Sequence, residues 1–260
     1  MNTTKVKAIV VACLILVMNG SALGQSDESL KELLELSGIL RNHLTMSDRI
    51  VSQFQTAIPE VPEAFWLQEQ KNLQQSHATT IENRLYSIYR EQMSAEEVQE
   101  VIAKMKAGGI SDKDSSFMQA TTQAIQYGEK LMADISKTLS RKVEEGNLLT
   151  RNVGEMDCSK YRDGKFLDVL PDGEEVRIER KGTIQYSRFG NNYMKFELTY
   201  LNNCDYTMTL LETDFEPYKA EIGNVITIHP YFIDDKVIRY KCVVDHRHGF
   251  VTYGDLAFDR

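Results

Sequence analysis

The stretch NNYMKFELTYLNNCDYTMTL, residues 191–210, is the clearest guide to the fold of the second half of this chain. Apolar or aromatic side chains occupy every second position on both sides of a central pair of asparagines: Met194, Phe196, Leu198, Tyr200, then Tyr206, Met208 and Leu210. Alternation with a period of two is typical of a β-strand with one buried face, and Asn202-Asn203 between two such runs indicates a turn. The stretch therefore predicts an antiparallel hairpin.

Similar strand signals fill the rest of the chain from residue 158 onward. Further turn signals lie at Pro171-Asp172-Gly173, Gly190-Asn191-Asn192, Gly223-Asn224 and Asp234-Asp235, and the alternation returns in Ile238, Tyr240, Cys242 and Val244. Spacings this short demand hairpins, because a crossover between parallel strands needs a dozen or more residues. We predict about seven or eight antiparallel strands that form a small barrel or a sandwich.

Residues 26–145 carry the period of amphipathic helices instead. In the clearest helix, apolar and small residues recur mainly at steps of three or four and form one stripe: Phe117, Thr121, Ala124, Ile125, Gly128, Leu131, Met132, Ile135, Leu139 and Val143. Such a stripe indicates a helix that buries one face. We expect it to begin at a cap near Ser111 or Asp112 and to stop at Gly146.

Other helices precede this one. Ser94-Ala95-Glu96-Glu97 is a capping box, so a helix should start there and end by Gly108-Gly109. A long helix is expected from near Pro62, and Ser47-Asp48 is expected to cap a shorter one that runs to Ala57. With a further helix around residues 30–39, the total is about five, packed as an irregular bundle.

The change of period sets the domain organisation. The polar stretch from Glu144 to Asp157 has no periodicity and separates the helical half from the strand half. We predict an α+β chain of two domains: an N-terminal irregular α-helical bundle over residues 25–145, a linker over 146–157 and an antiparallel β barrel or sandwich over 158–260.

The N-terminus has the composition of a secretory signal peptide. Lys5 and Lys7 precede the apolar run AIVVACLILVM, residues 8–18, and the small residues Ala22 and Gly24 suit cleavage before Gln25. Residues 1–24 are therefore assigned as the signal peptide. Lipidation at Cys13 is an alternative, but it would leave only five apolar residues before the cut and would keep Leu14-Ile15-Leu16-Val17 on the mature protein. Either way we expect an exported protein, periplasmic or extracellular, with membrane association left open and no transmembrane helix in the mature chain.

Charge argues against polyanionic partners. Loss of the signal peptide removes two lysines and no acid, which takes the formal net charge from -8 to -10. Nucleic acids and anionic lipids are bound by clustered lysine and arginine. The basic residues Arg177, Arg180 and Lys181 alternate with acids and are interpreted as solvated strand edges. We expect no nucleic-acid partner.

Three cysteines remain after export: Cys158, Cys204 and Cys242. In an oxidising compartment three cysteines indicate one disulfide and one leftover thiol, or an intermolecular bond. The residues by themselves leave the pairing open.

The helical half resembles an uncharacterised family of secreted bacterial proteins, domain of unknown function 2059. The resemblance rests on LYSIY at residues 85–89, MSAEEV at 93–98, FMQA at 117–120 and QYGEKL at 126–131, and it covers most of residues 30–139. The chain departs from the family at MKAGG, residues 105–109, where the family has an aromatic pair and a serine-proline step. The resemblance implies a fold and an envelope location, but no activity.

The β half is similar to small uncharacterised bacterial domains that start with a cysteine-led strand. The similar segments are CSKYRDGKF at residues 158–166, VRIER at 176–180 and LNNCDYT at 201–207. By that resemblance Cys158 and Cys204 would form the disulfide, and Cys242 would be the spare thiol.

Candidate chemistry is sparse. One candidate metal site is Asp245-His246-Arg247-His248, with His229 as a third ligand, if the two histidines share one face of a strand. The alternative is that these residues form a solvated turn between strands. Cys242 is a candidate nucleophile, but a free cysteine on an apolar strand face more often fills a core. We therefore assign no catalytic, cofactor-binding or metal-binding residue and expect no cofactor.

Three hypotheses follow. The leading one is an exported bacterial envelope protein that is not an enzyme and serves as an interaction or binding module for an envelope partner. The alternative is a carrier of a small apolar ligand, with a β barrel lined by Phe196, Tyr200, Tyr206 and Tyr240. The least favoured is a metal-dependent hydrolase. The sequence does not determine the oligomeric state.

Overall fold

The computed structural model describes residues 27–109, 114–152, 158–169 and 174–259. Four of the sequence predictions fall wholly or partly outside these ranges. They are the signal peptide at 1–24, the helix cap near Ser111 or Asp112, much of the linker and the turn at Pro171-Asp172-Gly173.

The N-terminal region is helical, as predicted. Its helices are α1 (27–36), α2 (Ile39–Leu44), α3 (Met46–Ala57), α4 (Glu63–Gln92), α5 (Ala95–Lys106) and α6 (Ser115–Glu145). Among the described residues, no helix combines the length and apolar character that crossing a membrane requires.

Local capping explains where two of these helices begin. The Ser94 hydroxyl accepts the Glu97 backbone N–H at 3.2 Å, and the Glu97 carboxylate accepts the Ser94 N–H at 2.7 Å, so the predicted capping box at the start of α5 is confirmed. The cap predicted at Ser47-Asp48 is wrong. Helix α3 begins at Met46, which places both residues inside the first turn.

The C-terminal region is a closed barrel of eight antiparallel strands in sequential order. The strands are β1 (Gly164–Val169), β2 (Glu175–Lys181), β3 (Ile184–Phe189), β4 (Asn192–Tyr200), β5 (Tyr206–Thr213), β6 (Val225–Ile233), β7 (Val237–Val244) and β8 (Phe250–Phe258). The first and last strands pair, with Phe166 opposite Phe258. This pairing settles the choice between a barrel and a sandwich in favour of the barrel.

The β4–β5 hairpin has the register that its sequence predicts. Phe196 lies opposite Leu210, and Leu198 lies opposite Met208, so the alternating apolar residues of both strands share the inner face. Asn202 holds the turn, because its side-chain oxygen accepts the backbone N–H groups of Cys204 and Asp205, each at 2.8 Å.

The chain divides into two compact units. One contains the chain up to Met46 together with Gln74–Gly128, and the other contains Ser47–Leu73 together with the chain from Glu129 onward. The helical segments 47–73 and 129–145 thus belong with the barrel, although the change of period lies near residue 145. The two long helices α4 and α6 each contribute to both units.

Within the barrel unit, helices cover part of the outer face of the sheet. Phe54 packs edge to face against Tyr253 at 5.4 Å between ring centroids, and the hydroxyls of Ser140 and Tyr253 lie 2.9 Å apart. The Ser136 hydroxyl accepts the Val251 backbone N–H at 2.9 Å. Because of this cover, the outward-facing Val251 and Tyr253 of β8 are buried.

Candidate ligand-binding site

The inside of the barrel holds a cavity of about 430 Å³. Strands β1 to β8 all contribute to its wall, and most of the wall is apolar: Val176, Ile178, Phe189, Met194, Phe196, Met208, Ile226, Ile228 and Leu256. Protein cores are normally packed with few voids larger than a water molecule. A cavity of this size is within the range of small-molecule sites.

One cation faces this cavity from the inner side of β2. Buried and exposed residues alternate along that strand, which places Val176, Ile178 and Arg180 inward. Arg180 is buried, with a relative solvent exposure of 6%. The prediction that Arg180 lies on a solvated strand edge is therefore wrong, because its position is in phase with the two apolar residues and not with Arg177 and Glu179.

Neutral groups hold the Arg180 guanidinium. Its Nε donates to the side-chain oxygen of Gln185 at 2.7 Å, and its Nη2 donates to the Tyr206 hydroxyl at 2.7 Å. Gln185 in turn donates to the Ser187 hydroxyl at 3.0 Å. The guanidinium carbon also lies 5.0 Å from the ring centres of both Phe166 and Tyr206, within cation–π range.

No carboxylate neutralises this charge within the described part of the chain, where Arg180 forms no ion pair. Nη1 has no hydrogen-bond partner there either. Burial of an ion costs several kcal/mol unless a counter-charge or a full set of hydrogen bonds offsets it. Arg180 thus gives the cavity a localised positive charge with one nitrogen available.

Acidic side chains lie further along the same wall. Asp168 pairs with Val176, which is four residues from Arg180 along β2, or about 13 Å. Burial, followed by the nearby Asp255 carboxylate, raises the pKa of Asp168 to about 6. Glu174 borders the same region of the cavity. The cavity is therefore basic at one level and acidic at another, with apolar side chains between them.

Tyr240 occupies the middle of the barrel and packs against both of its apolar clusters. Its ring lies over Gly254, where a Cβ atom would sit 2.6 Å from the Tyr240 hydroxyl. Burial, and then the Asp168 carboxylate, raises the pKa of Tyr240 well above its usual value. Tyr240 is therefore a neutral phenol at physiological pH.

A second cavity of about 320 Å³ adjoins the first and shares Met194, Phe196, Met208 and Ile226 with it. Its wall includes the 3-10 segment Glu216–Glu221 and the 3-10 turn Asp245–Arg247. Glu221 joins the two, because its carboxylate lies 2.7 Å from His246 Nε2 and 2.6 Å from Arg247 Nη2. We call these two segments and their ion pairs the Glu221 clasp.

The disulfide lies beside the Arg180 level of the barrel. Cys158 and Cys204 are bonded, with their Cα atoms 5.1 Å apart, so the expected pairing is confirmed. Both cysteines belong to the apolar cluster that contains Phe166 and Ile178. The bond ties the segment before β1 to the β4–β5 turn.

Three of the four aromatic residues expected to line a ligand cavity do so. Phe196, Tyr206 and Tyr240 border the large cavity, whereas Tyr200 does not. The Tyr200 ring lies under the Arg162 guanidinium at 4.3 Å. Its buried hydroxyl has no hydrogen-bond partner within the described ranges. Tyr200 lies near the disulfide and borders a small separate pocket with Cys204 and Arg162, outside the large cavity.

The histidine cluster does not assemble as a metal site. Asp245–Arg247 is a 3-10 turn and not a strand, so His246 and His248 do not follow the alternation of a strand, and His248 has a left-handed backbone with φ of 55°. His246 contacts Glu221, whereas His229 lies 3.4 Å from Asp205. Across the described ranges, no group of three histidine, cysteine or acidic side chains has the arrangement of a metal site.

The spare thiol lies in the cavity wall. Cys242 is buried and unpaired, and burial raises the pKa of its thiol to about 12. It is therefore a neutral thiol at physiological pH. Because the thiolate is the nucleophilic form, Cys242 is poorly suited to covalent catalysis.

No family model, curated protein or solved structure matches this chain.

Arg180 is a site residue that was not predicted from the sequence. The signal was present: Val176, Ile178 and Arg180 follow at steps of two, which places the arginine on the buried face of a predicted strand.

Proposed function

We propose that this chain is an exported, non-enzymatic binding protein whose barrel carries a small, largely apolar molecule. The observation that carries the proposal is the cavity of about 430 Å³ within the barrel, walled mainly by apolar side chains. A ligand there would restore the van der Waals contacts that the lining side chains otherwise lack.

The polar groups of the cavity favour binding over catalysis. Cys242 and Tyr240 both have a raised pKa, so neither is an activated nucleophile or a base at neutral pH. Arg180 is held by Gln185 and Tyr206 in a fixed position, which suits recognition of a ligand group.

Export is part of the proposal. The signal peptide assigned to residues 1–24 and the Cys158–Cys204 disulfide both suit a periplasmic or extracellular location, because disulfides persist in oxidising compartments. The resemblance of the helical half to a secreted bacterial family agrees with that location.

A fluorescence titration tests the binding function. We expect a neutral apolar dye, N-phenyl-1-naphthylamine, to bind the mature protein with enhanced emission. Ile226→Trp, which places a bulky ring in the cavity wall, should abolish the enhancement. The matched control is Val225→Trp, because Val225 precedes Ile226 on the same strand and lies outside the cavity wall.

Equal dye binding by both variants would place the dye elsewhere and contradict the proposal. Native mass spectrometry of protein released gently from its host adds an independent measurement. A stoichiometric small molecule on the wild type, absent from Ile226→Trp, is the expected result.

A further inference from the structure

We infer that the ligand is an amphiphile with an anionic headgroup, and that Arg180 receives this group while the apolar part lies along the cavity. The inference rests on the proposed binding function and adds the chemical class of the ligand. It depends on the environment of one buried side chain.

No carboxylate among the described residues balances the positive charge of Arg180. Arg180 keeps 6% of its exposure and is surrounded by the neutral Gln185 amide, the neutral Tyr206 hydroxyl and two aromatic rings. A buried guanidinium with no counter-ion favours an anion, because a charge-assisted hydrogen bond is stronger where little water competes for it.

Hydrogen bonds fix the orientation of the Arg180 guanidinium. Two of the three guanidinium nitrogens are fixed by hydrogen bonds of 2.7 Å, and Gln185 is itself held by Ser187. The planar group therefore cannot turn away to seek another partner. Nη1 remains available for a carboxylate oxygen.

The polarity of the cavity wall changes along the barrel axis. Apolar side chains lie between the Arg180 level and the level of Asp168 and Glu174, about 13 Å along the strand. An anion near Asp168 would be repelled, whereas one at Arg180 is separated from that carboxylate by the apolar wall. A headgroup at Arg180 with an alkyl chain beside Ile228 and Met208 satisfies both conditions.

The test compares three probes that share a ten-carbon chain: decanoate, decan-1-ol and decylammonium, each below its aggregation concentration. Binding to the mature protein is measured at pH 7.5 by displacement of N-phenyl-1-naphthylamine. We expect decanoate to bind at least tenfold more tightly than decan-1-ol, and decylammonium to bind more weakly than the alcohol.

Arg180→Gln should remove the preference for decanoate and keep the binding of decan-1-ol. Arg188→Gln is the matched control, because it deletes the same charge from an exposed position on the neighbouring strand β3 and should leave the preference intact. If Arg180→Gln does not fold, as judged by circular dichroism, the probe series on the unaltered protein still decides the question.

The outcomes separate the two claims. If the alcohol and the carboxylate bind equally well, the inference is wrong and the binding function stands. Preference for decylammonium would also overturn it and would assign recognition to the acidic level of the cavity. If none of the probes displaces the dye, or the dye itself does not bind, both the inference and the proposed function fail.

Discussion

Tyr240 and Gly254 face each other across neighbouring strands, and the tyrosine ring occupies the space that a side chain at position 254 would take. A Cβ at Gly254 would meet the hydroxyl at 2.6 Å and the adjacent ring carbon at 2.8 Å. A glycine here has a steric cause, because its backbone is not in the left-handed region.

We expect Gly254→Ala to lower the free energy of unfolding by about 1–3 kcal/mol, the usual cost of overpacking a core. Denaturation by guanidinium chloride measures this, and dye binding should weaken because the Tyr240 ring is pushed into the cavity. Gly109→Ala is the control, since its Cβ would meet nothing within 4 Å. Equal stability of the two variants would show that the ring can move freely.

Asp168 makes the stability of the folded protein depend on pH. Burial raises its pKa from 3.8 to about 6 in the folded state, so the folded protein holds the proton more tightly than the unfolded chain does. The stabilisation from this group is therefore complete below about pH 4 and is lost as the pH rises through 6.

We expect Asp168→Asn to be more stable than the wild type at pH 7 by on the order of 2 kcal/mol, and the difference to shrink towards pH 4. Chemical denaturation at a series of pH values measures it. Glu179→Gln, on the outer face of β2, serves as the control and should show no such trend. A difference independent of pH would refute the assignment to Asp168.

Sequence patterns identified most of the residues that face the cavity, including Phe196, Tyr206 and Tyr240, because alternation assigns a face to each residue. The prediction for Arg180 was wrong because the alternation along β2, and not the charge of the side chain, determines which face it occupies. Tyr200 has the correct face but lies beyond the cavity, and alternation carries no information on depth along the barrel.

At the scale of elements, the Glu221 clasp links the Glu216–Glu221 segment to the Asp245–Arg247 turn. Hydrogen bonding to Arg247, with smaller contributions from Asn224 and His246, lowers the pKa of the Glu221 carboxyl. The Glu221 carboxylate is therefore charged at neutral pH and loses that charge only below the ordinary range of a glutamate pKa.

We expect Glu221→Gln to free the segment, so that hydrogen exchange of residues 216–221 quickens and dye association and dissociation both become several-fold faster. Hydrogen exchange with mass spectrometry and stopped-flow fluorescence measure these changes. Glu216→Gln is the matched control, because Glu216 pairs with Lys219 inside the same segment. Unchanged exchange in Glu221→Gln would show that the ion pairs do not restrain the segment.

Elements with local signals were the best predicted. The capping box at Ser94 depends on four adjacent residues, and the sequence placed it correctly. Closure of the barrel depends on the pairing of Phe166 with Phe258, which no hairpin signal determines. For that reason the sequence left barrel and sandwich as alternatives.

At the scale of the whole molecule, long-range contacts join helix and barrel within one compact unit. Ser140 and Tyr253 are 113 residues apart in sequence, yet their hydroxyls lie 2.9 Å apart. Sequence periodicity located the change from helix to strand, but it contains no information on which helical segments cover the sheet.

We expect the isolated segment 158–260 to be less stable than the mature chain, because it would expose Val251, Tyr253 and Tyr231, which are buried in the whole protein. Thermal unfolding followed by near-ultraviolet circular dichroism compares the two. A segment that unfolds at the same temperature as the whole chain would show that the helical cover contributes nothing to barrel stability.

The methyl groups of methionine report directly on whether a ligand binds inside the barrel. Met194 and Met208 line the cavity, whereas Met93 is buried in the helical region and Met118 is exposed on α6. Carbon-13 methyl spectra of the mature protein, titrated with N-phenyl-1-naphthylamine and then with decanoate, should show saturable shifts at Met194 and Met208 and none at Met93 or Met118. Shifts confined to Met118, or none at the two cavity methionines at saturation, would show that these molecules do not bind inside the barrel.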